Sequence, residues 1–414
     1  MGWLGLDDTD SLAGGCTTEV FHRLLSDLPT GVLTSIPNLV RLWPFAQQRT
    51  RGNAALSVEL KDYDEASLLQ HLDDWWNKHI SPLEGQLAPS MISSRKQVAS
   101  SPGMVWFSEK PDSNFYWNAV RGHVELSDIP EPTKSWGGHG KIGASAAVAW
   151  PQTSGTWEGI AWRLPGAKKE RSIDSEVLEH IDGWESIVLS RDPRRGKLLI
   201  APRGSSPVLF GIRSLDRTSA EEALALLSDA SGTEATSGSC VFRTNQASGD
   251  HLPGSIELMV SGMDVHKERK HVRLSTDGPD VLVFSEGGPV NSLARWLQPG
   301  DCISVQGLLH PDGTLHAERM KLVSAVPRSR SRPRCPTCQV RLKSMGLNQG
   351  LRCPSCKRKS DDHWELDEVS PPFEGWVEPP LDARRHLSTP LQWSKNHLDF
   401  SIQEQNHEKE SPGK

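Results

Sequence analysis

Apolar residues recur along this chain with two periods, and the order in which those periods alternate divides it into segments. WLGLDD (3–8) has the apolar content of a short strand and ends on carboxylates. TTEVFHRLLSDL (17–28) lines up Val20, Phe21, Leu24, Leu25 and Leu28 as one helical face, entered from a polar, Gly-rich turn. NLVRLW (38–43) and AALSVEL (54–60) are runs of strand length, and EASLLQHLDDWW (65–76) returns to helical spacing. KIGASAAVAW (141–150) is a small-residue helix that follows a Gly-rich loop. This alternation predicts an α/β or α+β domain over 1–155. From 156 to 254, the strands GIAWRL, KLLIAP and PVLFGI and the helix SAEEALALLSDA predict a smaller α+β domain, whose order suits a ferredoxin-like split.

Residues 255–326 change to strand spacing. SIELMVSGMDV, HVRLST, DVLVFSE, DCISVQGLLH and LHAERMKLV are separated by DG, GG, PG and DG turns, with NSLARWL as a helix ahead of the fourth strand. Five strands with a helix in that place is the OB arrangement, and a plain β-barrel without ligand is the alternative. A basic linker and a candidate zinc ribbon occupy 327–366. A Pro-rich segment and a polar tail occupy 367–414, with disorder expected from about Gln403. The fold class is therefore α+β, multidomain.

Composition narrows the setting. The chain has 414 residues, 36% apolar and 24% charged, which suits two to four domains. No apolar run is long enough to span a membrane, and MGWLGLDDTD lacks a signal core, so a soluble, cytoplasmic protein is expected. A net charge of −6 argues against nucleic acid, but its distribution argues the other way. From Pro327 to Ser360 there are ten basic residues and no acidic one, a directed electrostatic footprint.

Of seven cysteines, Cys16, Cys240 and Cys302 stand singly. Cys335, Cys338, Cys353 and Cys356 form C-x2-C-x14-C-x2-C, two knuckles about one hairpin apart, with Gly346 and Gly350 in the turn between them. That spacing lets four thiolates converge on Zn²⁺ and leaves no open position, so the zinc is structural.

Chemistry is expected at DDTDS. Asp7, Asp8 and Asp10 lie where a strand ends, and Gly14, Gly15, Cys16, Thr17 and Thr18 lead into a helix. Carboxylates so placed suit Mg²⁺, and a Gly-rich turn at a helix N-terminus suits phosphate. The same residue types also serve as ordinary turn and cap residues. GGHGKIG (137–143) is a second such loop; Gly138, Gly140 and Gly143 let backbone N–H groups approach an anion, although the spacing is not that of a Walker motif. Arg384, Arg385 and His386 stand together in DARRHLSTPL, as a phosphate contact or as a solvated charge cluster.

Together these motifs resemble the tRNA 2-agmatinylcytidine synthetases, which attach agmatine to C2 of the wobble cytidine of an isoleucine tRNA with a CAU anticodon. The resemblance spans roughly 3–391. It rests on LDDTDSLAGGCTT, TRGNAA (50–55), GHGKIGASAA, SPVLFGIR (206–213), RTNQASGDHL (243–252), the barrel strands, the ribbon and ARRHLSTPL. It implies a kinase-like first domain that binds ATP through Gly14, Gly15, Thr18, Gly138, Gly140 and Gly143. It further implies that Asp7, Asp8 and Asp10 hold Mg²⁺–ATP, and that Thr17 is the family's self-phosphorylated threonine. Arg384, Arg385 and His386 would contact tRNA. The family's chemistry phosphorylates O2 of the cytosine, lets the agmatine amine displace that phosphate, and releases AMP. The chain departs from the family at Lys141, where a hydrophobic residue is usual, and at Ala247-Ser248-Gly249, which delay the acid after TNQ until Asp250. Residues 82–130 match weakly. The competing readings are a non-catalytic nucleic-acid-binding subunit and an ATP-dependent enzyme on another RNA or amine.

Overall fold

A computed structural model describes residues 1–10, 15–48, 53–87, 98–167, 170–192, 196–202, 206–328, 330–366 and 370–393. Gly14, residues 50–52 of the TRGNAA motif and the tail from Gln403 lie outside the described residues. The chain forms two compact units, Met1–Gly254 with Pro380–Lys414, and Ser255–Pro379.

The first unit is built on one sheet flanked by helices. Its elements are β1 (Gly2–Asp7), α1 (Thr17–Ser26), β2 (Asn38–Arg41), β3 (Ala54–Lys61), α2 (Glu65–Trp75), β4 (Gly103–Phe107), α3 (Asn114–Arg121), β5 (Lys134–Gly137) and α4 (Lys141–Ala149). These are followed by β6 (Thr156–Arg163), α5 (Ser175–Asp182), β7 (Val208–Ser214), α6 (Arg217–Asp229) and β8 (Thr236–Thr244). The nine-stranded sheet runs β7-β6-β8-β2-β3-β1-β4-β5, with the two-residue strand Leu33–Thr34 paired to β3. β8 pairs β2 in parallel through Arg243↔Asn38 and Thr244↔Leu39, so the sheet continues across residue 155, where the sequence divides two domains. KLLIAP supplies only the two-residue strand Lys197–Leu198, paired with Arg191–Asp192.

Strand alternation decides what faces what. Leu4 and Leu6 of β1 are fully buried in a core shared with Val20, Phe21 and Leu24 of α1 and Leu68 and Leu72 of α2. Successive side chains on a strand point to opposite faces, so Gly5 and Asp7 meet α4 on the other side. The approach there is close. A Cβ on Gly5 would lie 2.4 Å from the Ala144 carbonyl oxygen, and one on Gly143 would lie 1.9 Å from Asp7 Oδ2. That is why α4 is written in small residues, with every position from Gly143 to Ala149 buried. Its one glycine, Gly143, lies against Asp7 of β1.

The second unit contains a closed five-stranded barrel. β9 (Ile256–Val265), β10 (Val272–Thr276), β11 (Val281–Val283), β12 (Cys302–Leu309) and β13 (Leu315–Ser324) run in the order β11-β10-β9-β12-β13, and a parallel β11–β13 pairing closes the ring. α7 (Pro289–Trp296) precedes β12 and buries Val290, Leu293 and Ala294 against the barrel core. Trp376–Val377 adds a short strand to β13. Lys343–Ser344, Leu351–Arg352 and Lys359–Ser360 form a small antiparallel sheet around the cysteine knuckles. The Pro-rich segment after 367 is thus divided: its first part belongs to the barrel unit, and residues from Pro380 belong to the first unit.

Candidate active site and zinc centre

The two knuckles are built alike. Cys335 N–H donates to Val340 O and Gln339 N–H to Cys335 O; Cys353 N–H donates to Arg358 O and Lys357 N–H to Cys353 O. Gln339 (φ 55°) and Lys357 (φ 65°) take the same left-handed turn after the second cysteine of each knuckle. The four sulfurs lie within 4.8 Å of one another. N–H groups of Cys338 and Thr337 draw the Cys335 thiol down, which favours the thiolate that a metal requires, while the neighbouring sulfurs push Cys356 up. Four soft, converging donors with no carboxylate or water position fit structural Zn²⁺.

The basic block around them is less free than its composition suggests. Arg328 makes a two-pronged contact with the fully buried Asp301 (2.9 and 2.7 Å) and stacks 3.9 Å over Trp296. Arg332 pairs with Asp362 and lies 4.0 Å over Trp364. Arg334 and Arg341 donate to the carbonyls of Gln339 and Arg332. Arg328 thus anchors on the barrel and the other three hold the ribbon, while Lys343, Arg352, Arg358 and Lys359 are exposed.

At the end of β1 the backbone turns sharply. Asp8 sits at φ 58°, a left-handed conformation that is uncommon outside glycine and that Asp and Asn adopt more readily than other side chains. Its N–H donates to Asp7 Oδ1 (2.7 Å), and its carboxylate accepts Ser101 N–H (2.8 Å). Burial, then the charges of Asp8 and Asp10, push the Asp7 carboxyl well above its usual range, with the Asp8 N–H opposing. The cluster therefore holds negative charge at a cost that a cation would relieve. Among the described residues only the four cysteines converge as a group of three or more metal donors, so the aspartates do not close a cation site by themselves. That suits an ion that takes a few carboxylates and completes its shell with water and phosphate oxygens.

The second Gly-rich loop has its donors already engaged. Gly138 N–H donates to Pro102 O, His139 N–H to Ser101 Oγ and Gly140 N–H to Ser101 O. Gly138 and Gly140 pack against residues 101–103 and the Asp7 carbonyl, and Gly143 makes room for the Asp7 carboxylate. The loop positions Asp7. Lys141 begins α4 beside Gly103.

A cavity of about 530 Å³ opens beside this turn. Asp10, Cys16, Thr17 and Thr18 line it from the start of the chain, with Gly15 (φ 79°) leading into them. Arg41 comes from β2, Glu158 from β6, Arg213 from β7, and Arg384, Arg385 and His386 from the C-terminal segment. The structure thus brings the predicted Asp10, Thr17, Thr18, Arg384, Arg385 and His386 to one place. Asp7 and Asp8 form the turn that leads to Asp10; Gly140 and Gly143 stand behind Asp7, and Gly138 packs on Ser101. The Thr18 hydroxyl accepts the Trp162 indole N–H (3.0 Å) and meets Cys16 Sγ (2.9 Å). The Thr17 hydroxyl makes no hydrogen bond among the described residues. Burial raises the Cys16 thiol, so it is not a reactive thiolate.

Arg41, Glu158 and Arg213 line this cavity and were given no role from the sequence. Their signal is a charged residue in an otherwise apolar strand, as in NLVRLW, TWEGIAW and VLFGIR. Gln246 donates to Glu158, and Glu158 faces Arg213 at 3.8 Å. The departure after TNQ also has a use. Ala247 N–H donates to His386 O and Gly249 N–H to Leu387 O, both at 2.8 Å, so this turn holds the C-terminal segment. Asp250 is structural: it accepts Tyr116 Oη–H (2.6 Å) and Ser154 Oγ–H (3.2 Å).

Comparison with known proteins agrees with this architecture. Three family models match: the TiaS TCKD domain over residues 3–140, the TiaS FLD domain over 138–251 and the TiaS C-terminal zinc ribbon domain over 332–369. The isoleucine-tRNA 2-agmatinylcytidine synthetase TiaS of Methanocorpusculum labreanum is 29% identical, covering 94% of this chain and 95% of that protein. The Pyrococcus horikoshii protein of the same name is also 29% identical, over 96% and 98%. The crystal structure of TiaS in complex with its isoleucine tRNA and ATP aligns with a TM-score of 0.74 at 26% identity, covering 94% of this chain and 97% of that one. Domain by domain and along nearly its whole length, the chain belongs to the TiaS family.

Proposed function

We propose that this chain conjugates agmatine to C2 of the wobble cytidine of the CAU-anticodon isoleucine tRNA in an ATP-dependent reaction. The observation that carries the reading is the single cavity that gathers Asp10, Thr17, Arg41, Arg213 and His386 from distant parts of the chain beside the Asp7–Asp8 turn. In finer terms we assign 1–155 as a kinase-like ATP-binding domain, 156–254 as ferredoxin-like and the barrel as an OB fold. The setting is cytoplasmic; among the described residues no helix is long and apolar enough to cross a membrane.

The chemistry required is activation of a poor electrophile. The C2 carbonyl of cytosine has no leaving group until its oxygen carries a phosphoryl group. ATP supplies that group, the agmatine amine then attacks C2, the C2–O bond breaks, and phosphate departs. To be reached, the base must leave the anticodon stack. Arg41, Arg213, Arg384 and Arg385 stabilise charge on transferring phosphoryl oxygens, and Asp8 and Asp10 orient the nucleotide. Mg²⁺ held by Asp7, Asp8 and Asp10 would supply charge neutralisation at the phosphates. Thr17, with its hydroxyl uncommitted, is the better acceptor for self-phosphorylation than Thr18, whose hydroxyl is held by Trp162 and Cys16.

Nucleoside mass analysis of this tRNA incubated with the protein, ATP, Mg²⁺ and agmatine tests the reading. The expected product is agmatine-conjugated cytidine at the wobble position. Unmodified tRNA alongside ATP consumption would point to another amine or RNA.

A further inference from the structure

Two guanidinium groups in the cavity each keep a buried N–H without an acceptor. Arg41 Nε and Arg213 Nε are shut off from solvent, and neither has a hydrogen-bond partner among the described residues. Arg213 Nε stands 3.8 Å from Glu158 Oε1, close enough for ion pairing and too far for a hydrogen bond. Burial holds the Arg41 guanidinium below its ordinary value, Glu158 working against that and Arg213 adding to it. Unsatisfied buried donors on like-charged groups are costly, and such groups call for an explanation.

His386 completes the set. Arg213 Nη2 lies 3.1 Å from His386 Nδ1. A guanidinium can only donate, so Nδ1 must accept, which leaves the imidazole proton on Nε2. The ring is exposed at the cavity wall, yet Arg41 first, then the surrounding protein and Arg213, push it well below its usual range. It is therefore an uncharged donor at neutral pH. Fixing its place, the Ala247 N–H holds the His386 carbonyl.

We propose that Arg41, Arg213 and the Nε2–H of His386 form a binding site for a phosphoryl group. This rests on the proposed function only for where that group comes from. Charges facing the site include Asp10, Glu158 and Asp382 against Arg384 and Arg385. With Arg41 and Arg213 counted, four arginines face three carboxylates. The unmet groups at Arg41 and Arg213 are donors, so an anion satisfies them, whereas a guanidinium ligand would bring only more donors. The two sources in this cavity are a phosphate carried by Thr17 and a phosphate carried by the nucleotide or nucleobase.

The test is calorimetric titration of the full-length, dephosphorylated protein with inorganic phosphate. Arg41→Gln and Arg213→Gln should each weaken binding by about tenfold or more, the loss of a charge-assisted hydrogen bond. His386→Phe should weaken it, and His386→Gln should stay near wild type because its amide still donates. Arg213→Lys, which keeps the charge without the planar fork, serves if the glutamine variant fails to fold. Wild-type affinity in folded Arg41→Gln and Arg213→Lys proteins, or no phosphate binding by wild type, overturns the site. Thr17→Glu separates the sources: it blocks phosphate binding if the site receives the Thr17 phosphate and leaves it intact if the site serves the substrate. If the arginine variants lose phosphate while wild type never modifies tRNA, the site stands and the proposed function falls.

Discussion

The zinc ribbon and the cavity beside the Asp7–Asp8 turn are both polar constellations, but they are assembled over very different ranges of chain. Four cysteines within 22 residues make the ribbon, and each knuckle is closed by hydrogen bonds between near neighbours. The cavity draws on residues from Asp10 to Ser388, and its placement depends on a continuous sheet and on a returning C-terminal segment. The difference teaches that a metal replaces long-range packing. A ribbon too small for a core folds around its ion, whereas the cavity is held by strand register and close glycine contacts.

The sharpest way to break this comparison is to remove one sulfur. Cys353→Ser should abolish stoichiometric zinc and unfold the ribbon, since structural zinc supplies about 10–16 kcal/mol of coupled folding free energy. Binding of tRNA should weaken, while self-phosphorylation by the first unit persists. Metal analysis together with a label-transfer assay checks both. Retained zinc and unchanged tRNA affinity would contradict the ribbon account.

A second substitution sharpens the cavity side. Thr17→Ala should eliminate transfer of label from the γ-phosphate of ATP to the protein. Thr18→Ala should keep it and lose only about 1 kcal/mol of stability with the Trp162 hydrogen bond. The reverse pattern would move the acceptor.

These expectations show what was legible in the chain. The knuckles could be read because the tetrahedral requirement is encoded in spacing alone. Most strands and helices were legible from periodicity, as with TTEVFHRLLSDL in α1 and NSLARWL in α7. KLLIAP was less so, since an apolar run does not reveal that only two of its residues find a strand partner. The second Gly-rich loop was readable as glycines that let the backbone come close to a partner; that Gly143 makes room for the Asp7 carboxylate is not legible from the loop alone. Arg41, Glu158 and Arg213 were illegible because their meaning comes from the parallel pairing of β8 with β2, a contact about 205 residues long in sequence. The segment ARRHLSTPL stays open between a phosphate contact and a solvated charge cluster because nothing local says that residues 247 and 249 will hold it beside Thr17.

The basic block divides in the same way. Arg328→Ala strands the buried Asp301 carboxylate and should cost the barrel about 3–5 kcal/mol, read as a lower denaturant midpoint. Neutralising Arg352 or Lys359, both exposed, should leave stability alone and reduce the salt slope of tRNA binding by roughly one each. Equal effects on stability from all three would erase the distinction between holding and contacting residues.

The smallest expected effect is on pH dependence. His386 has a folded-state pKa below its unfolded value, so the unfolded chain takes up the proton first as pH falls. Its contribution to stability is present above about 6.5 and is lost as pH falls from there toward the folded value. His386→Gln should flatten that part of the melting-temperature profile. A profile identical to wild type would show that the imidazole carries no such linkage.

The most direct measurement is incorporation of isotope-labelled agmatine into the CAU-anticodon isoleucine tRNA by wild-type and Asp8→Asn proteins, with tRNA affinity measured in parallel. An amide keeps the shape of the carboxylate and its contact with Ser101 but removes the charge. The account predicts label at the wobble cytidine with wild type, a loss of about a thousandfold or more with Asp8→Asn, and nearly unchanged tRNA binding. Full incorporation by Asp8→Asn would reduce the acidic cluster to a turn and contradict the assignment of the cavity as the catalytic centre.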